Sequence, residues 1–215
     1  MSAPRRLVLL RHGRTAWNHE KRIQGQLEVG LDDTGHAQAR ATVTAVAAFG
    51  PAALWSSDSL RARQTASYVV DATGLEPTFD ARLREFFLAD RQGITHQEYA
   101  AAAPAEFEEF RRGHYDVVPG GEKTVEVVDR MRAATAALVG LLAPGETGLA
   151  VTHGAAIRAL VADVVGGDLD GFHGVDNCAW VELRQDAEGE PLRLVAYNRV
   201  VPLQGAPVSG TLTGP

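Results

Sequence analysis

Two apolar runs, far apart in the chain, each end abruptly at a histidine followed by a glycine. They read LVLLRHG at positions 7–13 and LAVTHG at positions 149–154. Short apolar runs without alternation are typical of strands buried inside a sheet. Ligands of an open α/β sheet bind beside the carboxyl ends of its strands, so we expect Arg11, His12 and His153 to meet around one anion. That grouping predicts phosphoryl chemistry, with a histidine available as the nucleophile.

The composition narrows the class of partner. The 215 residues suit one domain, and the net charge of −6 gives no electrostatic support for nucleic-acid binding. Cys178 is the only cysteine, so no intrachain disulfide can form and a cytoplasmic location is the simpler expectation. No run approaches the ~20 apolar residues that a membrane span needs, and the apolar stretch before Arg11 is too short for a signal peptide. We therefore expect no membrane association.

Helical and extended patterns alternate along the chain. Apolar spacing predicts helices at 32–49, 60–73, 95–103, 105–112, 125–142 and 155–165. Apolar runs predict strands at 6–10, 53–55 and 148–152, weaker extended pieces at 78–79 and 83–87, and a final hairpin of 180–183 and 192–197. This alternation indicates an α/β fold, a three-layer α/β/α arrangement around a mostly parallel sheet, with an antiparallel edge strand contributed by the hairpin.

The domain organisation follows from the same survey. There is no internal repeat and no linker, so residues 1–201 are expected to form a single domain. Residues 87–122 are the least regular part and are predicted to form a small cap over the site. From residue 202 to residue 215 the chain is mostly Gly, Pro, Ser and Thr, which predicts a mobile C-terminal tail.

Six short motifs occur in an order that resembles the histidine phosphatase superfamily. They are RHGRTAWN at 11–18, RIQG at 22–25, SSDSLRARQTA at 56–66, LRE at 83–85, THG at 152–154 and NCA at 177–179. One three-residue match alone is weak, but the ordered set spans nearly the whole chain. The resemblance implies a phosphoglycerate mutase-like fold.

The resemblance also implies a role for each pocket residue. His12 attacks phosphorus and forms a phosphohistidine, and Glu85 protonates the leaving group. Arg11, Arg61 and His153 surround the phosphoryl oxygens, since an arginine fork binds phosphate bidentately and stays charged. No metal ion and no cofactor are expected, because these three residues supply the positive charge. The implied catalytic set is His12, Glu85, His153, Arg11 and Arg61, and the substrate-binding set is Arg11, Asn18, Gln24, Gly25, Arg61 and His153.

Two positions depart from the pattern usual in close relatives. Arg91 stands where a tryptophan is usual, and Lys123 stands where a serine caps the long helix. A lysine cannot cap, so we expect Thr124 to cap instead and the capping box with Glu126 to be lost. Both cations are either ordinary surface residues or border the site, where they favour a substrate with extra negative charge. The histidines at 19, 36, 96, 114 and 173 are expected on the surface.

The function predicted on this basis is hydrolysis of a small-molecule phosphate ester, a sugar phosphate or a phosphoglycerate derivative, through a phosphohistidine. Residues 24–27, 83–85 and 92–96 look most like actinobacterial glucosyl-3-phosphoglycerate phosphatases and broad phosphoglycerate mutase-like phosphatases. A cofactor-dependent phosphoglycerate mutase is the alternative, because it shares the pocket. Mutases carry a longer segment after the acid than the one between Glu85 and Glu122, which favours hydrolysis. A non-catalytic binding protein is disfavoured because His12 and Glu85 are both present, and a homodimer stays open.

Overall fold

One sheet carries both histidine-bearing runs at its centre. Its strands are β1 (Arg5–Arg11), β2 (Pro51–Ser56), β3 (Pro77–Phe79), β4 (Thr147–Thr152), β5 (Trp180–Gln185) and β6 (Arg193–Arg199). In this computed structural model, which describes residues 3–203, they lie in the order β3-β2-β4-β1-β5-β6. Strands β1 to β4 pair in parallel, whereas β5 pairs antiparallel with both β1 and β6. The sheet is therefore mostly parallel with an antiparallel hairpin at one edge, as predicted.

The register between β1 and β4 brings the two motifs side by side. Arg11 lies opposite Thr152 in this parallel pair, so His12 and His153 leave the sheet together at its carboxyl edge. Consecutive residues of β1 are buried on both faces of the sheet. This burial explains why the sequence shows a continuous apolar run rather than alternation.

Seven helices accompany the sheet in the described part of the chain. They are α1 (Ala16–His19), α2 (Asp33–Ala47), α3 (Leu60–Thr73), α4 (His96–Ala102), α5 (Pro104–Arg112), α6 (Thr124–Gly140) and α7 (Gly154–Val165). Residues of α2 and α3 pack with Val8 and Leu10 on one face. Residues of α6 and α7 pack with Leu7 and Leu9 on the other face. These layers give the predicted α/β/α arrangement, and none of these helices is long and apolar enough to cross a membrane.

The segment after β3 differs from its sequence-based prediction. Residues 83–87 were expected to be extended, but a 3₁₀ turn covers Ala81–Leu83 and the chain then continues irregularly. The prediction was wrong because the backbone carbonyls there bind a guanidinium of α6 instead of a neighbouring strand. Helices α4 and α5 follow, and Pro104 begins the second of them. The tail predicted from residue 202 lies, except for its first two residues, outside the described residues.

Candidate active site

The two histidines lie next to each other at the carboxyl edge of the sheet. Their ring centroids are 5.1 Å apart, and the exposed fractions of His12 and His153 are only 3% and 0%. His12 directly follows β1 and His153 follows β4, so each ring is placed by the end of a central strand. The backbone N–H of His12 donates to Thr152 O at 3.0 Å, which joins the two strand ends.

The hydrogen bonds of His12 define which ring nitrogen can react. Nδ1 lies 2.8 Å from the carbonyl oxygen of Gly13. A carbonyl can only accept, so Nδ1 carries the hydrogen and Nε2 keeps its lone pair. Burial, together with the charges of Arg61 and Arg11, holds the pKa of His12 well below its usual range. The imidazole is therefore neutral near pH 7, as a nucleophile must be.

His153 is held by two serine hydroxyls. Its Nε2 lies 2.9 Å from Ser57 Oγ and 3.2 Å from Ser59 Oγ, while Nδ1 is buried and has no partner among residues 3–203. Burial and the charge of Arg61 hold the pKa of His153 well below its usual range. The expectation that His153 supplies positive charge is therefore wrong, because a buried imidazole beside arginines is more stable uncharged.

The positive charges that act on His12 come from Arg61 and Arg11. Arg11 Nη1 donates to Val175 O at 2.5 Å, and burial lowers the pKa of this guanidinium. Arg61 Nη1 and Nη2 donate to the carbonyls of Leu27 and Gly25 at 2.8 and 2.7 Å. Burial lowers the pKa of Arg61 to about 10, so it remains charged near pH 7. Both Nε atoms are buried without a partner in the described chain.

Three residues of the segment between β1 and α2 also border this pocket. The Oδ1 of Asn18 accepts from Thr15 N at 3.1 Å and from Asn177 Nδ2 at 3.2 Å, and its own Nδ2 has no acceptor among residues 3–203. Gly25 has a φ of +49°, and a Cβ there would lie 2.1 Å from the Gln92 side chain. Gln24 is mostly buried and lines the same cavity. The sequence-predicted binding residues are thus brought together.

Glu85 binds the first turn of α7. Its Oε1 accepts from Ala156 N at 2.9 Å and from Phe86 N at 3.0 Å, and its Oε2 accepts from Ala155 N at 3.0 Å. Helix N-termini carry N–H groups without an acceptor inside the helix, and two of those of α7 donate to this carboxyl group. Its chain neighbour, Arg84, pairs with Asp58 at 2.6 Å and not with Glu85. The carboxyl group is therefore fixed beside the cavity and is not used up in a local ion pair.

Arg130 of α6 holds the backbone of the loop that carries Glu85. Its Nη1 donates to the carbonyls of Arg82 and Arg84 at 2.8 and 2.5 Å, and its Nη2 donates to Glu85 O at 3.0 Å. The same guanidinium pairs with Glu122 at 2.6 and 2.9 Å. Glu122 in turn accepts from Phe87 N at 3.1 Å. We call these residues, Arg130 and Glu122, the loop clamp.

A cavity of about 220 Å³ joins these groups. It is lined by Arg11, His12, Asn18, Gln24, Gly25, Arg61 and Glu85, and also by residues that sequence reasoning did not assign to the site, among them Arg22, His96, Phe110, Arg111 and Tyr115. His96 was expected on the surface, but it packs against the rings of Phe107 and Phe110. Arg22 lies in a motif quoted above, whereas nothing in the sequence distinguishes Arg111 from Arg112.

Arg91 and Lys123, the two unusual cations, do not line this cavity. Arg91 pairs with Glu106 at 2.8 Å and lies over the ring of Tyr99. Lys123 is itself the N-cap of α6, its Nζ donates to Asp116 O at 2.8 Å, and its backbone N–H donates to Glu126 at 2.7 Å. The expectation that Thr124 caps α6 was therefore wrong. One of the two hydrogen bonds of a capping box is kept, because the Glu126 side chain accepts from the backbone N–H of Lys123 and needs no particular side chain there.

Side chains of the kinds that bind metal ions lie close together at another place in the described chain. His114, Asp168 and Asp170 offer ligand atoms within 4.8 Å of one another. His114 already pairs with Glu109 at 2.7 Å, and Asp170 pairs with Arg112 at 2.9 Å. Internal ion pairs therefore account for this group. Around His12, by contrast, the charged groups are chiefly arginines, which suits an anion rather than a metal ion.

The fold and this cluster define the class of protein. The sequence model of the Histidine phosphatase superfamily (branch 1) matches residues 7–198. The chain belongs to this superfamily, and it is a phosphoric monoester hydrolase.

The relatives of this chain include proteins named as phosphatases and proteins named as phosphoglycerate mutases. The chain is 38% identical over 198 residues to the glucosyl-3-phosphoglycerate phosphatase of Mycolicibacterium vanbaalenii, covering 87% of this chain and 88% of the relative. A mycobacterial glucosyl-3-phosphoglycerate phosphatase complexed with VO3 superposes with a TM-score of 0.83 at 36% identity, covering 90% of this chain and 98% of that one. A probable phosphoglycerate mutase, GpmB of Citrobacter koseri, is 37% identical over 165 residues, 74% of each chain.

Proposed function

We propose that this chain hydrolyses phosphate monoesters through a phosphohistidine formed on Nε2 of His12. The hydrogen bond from Nδ1 to Gly13 O carries this proposal, because it orients the ring and leaves Nε2 unprotonated. The neighbouring guanidiniums of Arg11 and Arg61 favour a phosphoryl dianion at the same place. Covalent catalysis then divides one displacement into two easier steps.

In the first step, Nε2 of His12 forms a bond to phosphorus as the bond from phosphorus to the ester oxygen breaks. Arg11, Arg61 and the Nδ2 of Asn18 stabilise the charge on the non-bridging oxygens. The departing alkoxide takes a proton from the carboxyl group of Glu85. The alcohol then leaves, and the N–H at Nδ1 of His12 keeps donating its hydrogen bond to the carbonyl of Gly13.

In the second step, water attacks the phosphohistidine. Glu85, now a carboxylate, accepts a proton from that water, and the bond between phosphorus and Nε2 breaks. Inorganic phosphate is released, and His12 and Glu85 regain their starting states. The three backbone N–H donors that hold Glu85 keep the same group in place for both proton transfers.

A phosphoglycerate mutase is the second candidate, supported by the similarity to GpmB. Hydrolysis is favoured because the segment between Glu85 and Glu122 is short and holds two short α-helices, α4 and α5, and two 3₁₀ turns. The test incubates the enzyme with 3-phosphoglycerate and measures phosphate release and 2-phosphoglycerate formation in parallel. We expect phosphate release to be faster, and His12→Ala to abolish both. Faster isomerisation than release contradicts the hydrolase proposal.

Glucosyl-3-phosphoglycerate is the first substrate to test, because phosphatases named for it are 36–38% identical to this chain.

A cytoplasmic location is also proposed and is supported by the single, buried Cys178. The homodimer stays a prediction, and light scattering of the purified protein tests it. The cap over 87–122 stays a proposal as well, supported by the contribution of that segment to the cavity wall.

A further inference from the structure

Two serine hydroxyls meet His153 where strands β2 and β4 end side by side. Ser56 lies opposite Val151 in this parallel pair, and the backbone N–H of Ser57 donates to Val151 O at 2.8 Å. Ser57 therefore leaves the sheet beside His153. Ser59 follows as the N-cap residue of α3, although its side chain makes no capping hydrogen bond. Both hydroxyls are thus directed to the imidazole and not to the helix.

The hydrogen-bond partners of the two hydroxyls decide which nitrogen of His153 carries the hydrogen. Ser57 and Ser59 are 0% and 3% exposed. In the described chain their Oγ atoms contact one another at 3.1 Å, the Nε2 of His153, and, for Ser57, the backbone N–H of Ser59 at 3.4 Å. They have no other hydrogen-bond partner among residues 3–203, so the hydrogens of this small group can be assigned one by one.

Only one assignment gives every hydroxyl hydrogen an acceptor. If Nε2 of His153 keeps its lone pair, one hydroxyl donates to Nε2 and the second hydroxyl donates to the first. If Nε2 carries a hydrogen, it donates to one hydroxyl oxygen, and one of the two buried hydroxyl hydrogens then has no acceptor in the described chain. A buried donor without an acceptor is costly, so the arrangement with hydrogen on Nδ1 is favoured.

We propose that Ser57 and Ser59 hold His153 in the tautomer with hydrogen on Nδ1, so that the neutral imidazole donates this N–H to a non-bridging phosphoryl oxygen. This inference rests on the proposed function and adds a donor to the phosphate site without adding a charge. Ser57 and Ser59 do not line the cavity. They are positioning residues, because they act through His153.

The surroundings of Nδ1 support this role for His153. Nδ1 is buried and has no partner among residues 3–203, and the ring lies 5.1 Å from that of His12, centroid to centroid. The charges of Arg61 and Arg11 act on both rings, so the two histidines border the same anion position. Burial and these charges keep the pKa of His153 well below its usual range. A neutral donor is therefore what His153 can offer.

The same tautomer gives the two adjacent rings different tasks. In His12 the carbonyl of Gly13 accepts from Nδ1, and the lone pair of Nε2 is left to attack phosphorus. In His153 the serines occupy Nε2, and the N–H at Nδ1 is left for the phosphoryl group. Since the lone pair of His153 is bound by a hydroxyl, His153 does not compete with His12 as a nucleophile.

NMR of the imidazole nitrogens in isotope-labelled protein tests this tautomer without any turnover. Two-bond correlations between ring nitrogens and carbon-bound ring hydrogens distinguish a nitrogen that carries hydrogen from one that keeps its lone pair. The signals that disappear in His153→Gln identify His153. We expect its Nδ1 to carry the hydrogen in the wild-type protein at pH 7. Hydrogen on Nε2 of the wild-type residue would overturn the inference whatever the variants do.

Variants of the two serines test whether they determine the tautomer. Ser57→Ala/Ser59→Ala should lose the single Nδ1–H form, and its kcat for p-nitrophenyl phosphate should fall about tenfold because a preorganised donor is lost. Each single variant should lose about threefold, since one hydroxyl still donates to Nε2. Ser57→Ala/Ser59→Thr restores one hydroxyl to the double variant and should recover most of the rate. A double variant that keeps the Nδ1–H form, or keeps its kcat, would overturn the inference.

Ser56→Ala is the matched control. Ser56 is the chain neighbour of Ser57 and is equally buried, but its hydroxyl donates to Ser57 O at 2.8 Å and does not touch His153. This variant should keep both the Nδ1–H form and the wild-type kcat. A loss as large as that in Ser57→Ala/Ser59→Ala would show that disturbance of the end of β2 alone explains the effect, and would overturn the inference.

The tautomer and the proposed function fail in different experiments. If no phosphate appears on His12 but the serines still control the hydrogen on His153, the proposed function fails and the assignment of the tautomer stands. If phosphate appears on His12 but the tautomer of His153 does not respond to Ser57→Ala/Ser59→Ala, the role of the serines fails and hydrolysis through phospho-His12 stands.

Discussion

Replacement of Arg130 by glutamine should weaken both the stability and the chemistry of this protein. Arg130 belongs to the loop clamp and binds three carbonyls around Glu85 as well as Glu122. Glutamine keeps the helix propensity of the position but cannot replace the charge or the five bonds. The variant therefore removes the charged partner of Glu122 and the donor that Arg130 supplies to the carbonyls of Arg82 and Arg84.

The expected loss follows from burial. The side chains of Arg130 and Glu122 are 16% and 17% exposed, so this pair approaches the buried class, in which removal of one partner costs several kcal/mol. Residual solvation reduces that figure, and we expect a loss of about 3 kcal/mol in the free energy of unfolding. Arg132 on the same helix pairs with Asp163, but its side chain is 59% exposed. Arg132→Gln should cost less than about 1 kcal/mol.

Urea unfolding followed by tryptophan fluorescence measures both losses under identical conditions. Because Arg130 positions the loop of Glu85, Arg130→Gln should also slow an alkyl phosphate more than p-nitrophenyl phosphate, whereas Arg132→Gln should slow neither selectively. Arg130→Lys should restore part of the alkyl phosphate rate. The reasoning is refuted if Arg130→Gln and Arg132→Gln lose the same stability, or if Arg130→Gln slows both substrates equally.

Three further results are expected. Glu85→Gln should slow an alkyl phosphate far more than p-nitrophenyl phosphate, since nitrophenolate leaves without a proton; equal losses would contradict the acid role. Burial holds the pKa values of His12 and His153 low in the folded state, so the unfolded chain binds protons first and stability falls as pH drops below about 6.5. In urea titrations His12→Ala should lose less stability than wild type between pH 7.5 and 5.5, and identical losses would argue against a buried neutral His12. Activity should survive EDTA, because Arg11 and Arg61 supply the charge; loss in EDTA that Mg²⁺ or Zn²⁺ reverses would refute this.

The sheet and its covering helices were predictable because local pattern and tertiary burial agree. The continuous apolar run of β1 reflects burial on both faces, and Asp32 caps α2 through Gly35 N at 2.7 Å, as its sequence position predicts. Parallel pairing of β1 with β4 then brings His12 to His153 without any further assumption.

The rest depends on contacts that local pattern does not contain. Residues 83–87 look extended, but Arg130, far along the chain, determines their conformation. Arg91 was a candidate for the border of the site, yet it pairs with Glu106 and does not line the cavity. Arg111 and Arg112 are identical in sequence, and only the rotation of α5 decides that the first lines the site. Whether a surface cation of this kind lines the site depends on tertiary packing, which its spacing along the sequence does not reveal.

The most direct test of the account is the position of the phosphoryl group during turnover. Enzyme quenched in base while hydrolysing substrate should carry acid-labile, base-stable phosphate on the peptide that contains His12. Phosphorus NMR of that species should show the phosphoryl group attached to Nε2 of His12, because the N–H at Nδ1 donates a hydrogen bond to Gly13 O. His12→Ala should remain folded, carry no phosphate and show no turnover. Phosphate on another residue, attachment at Nδ1, or appreciable activity in His12→Ala would contradict the account.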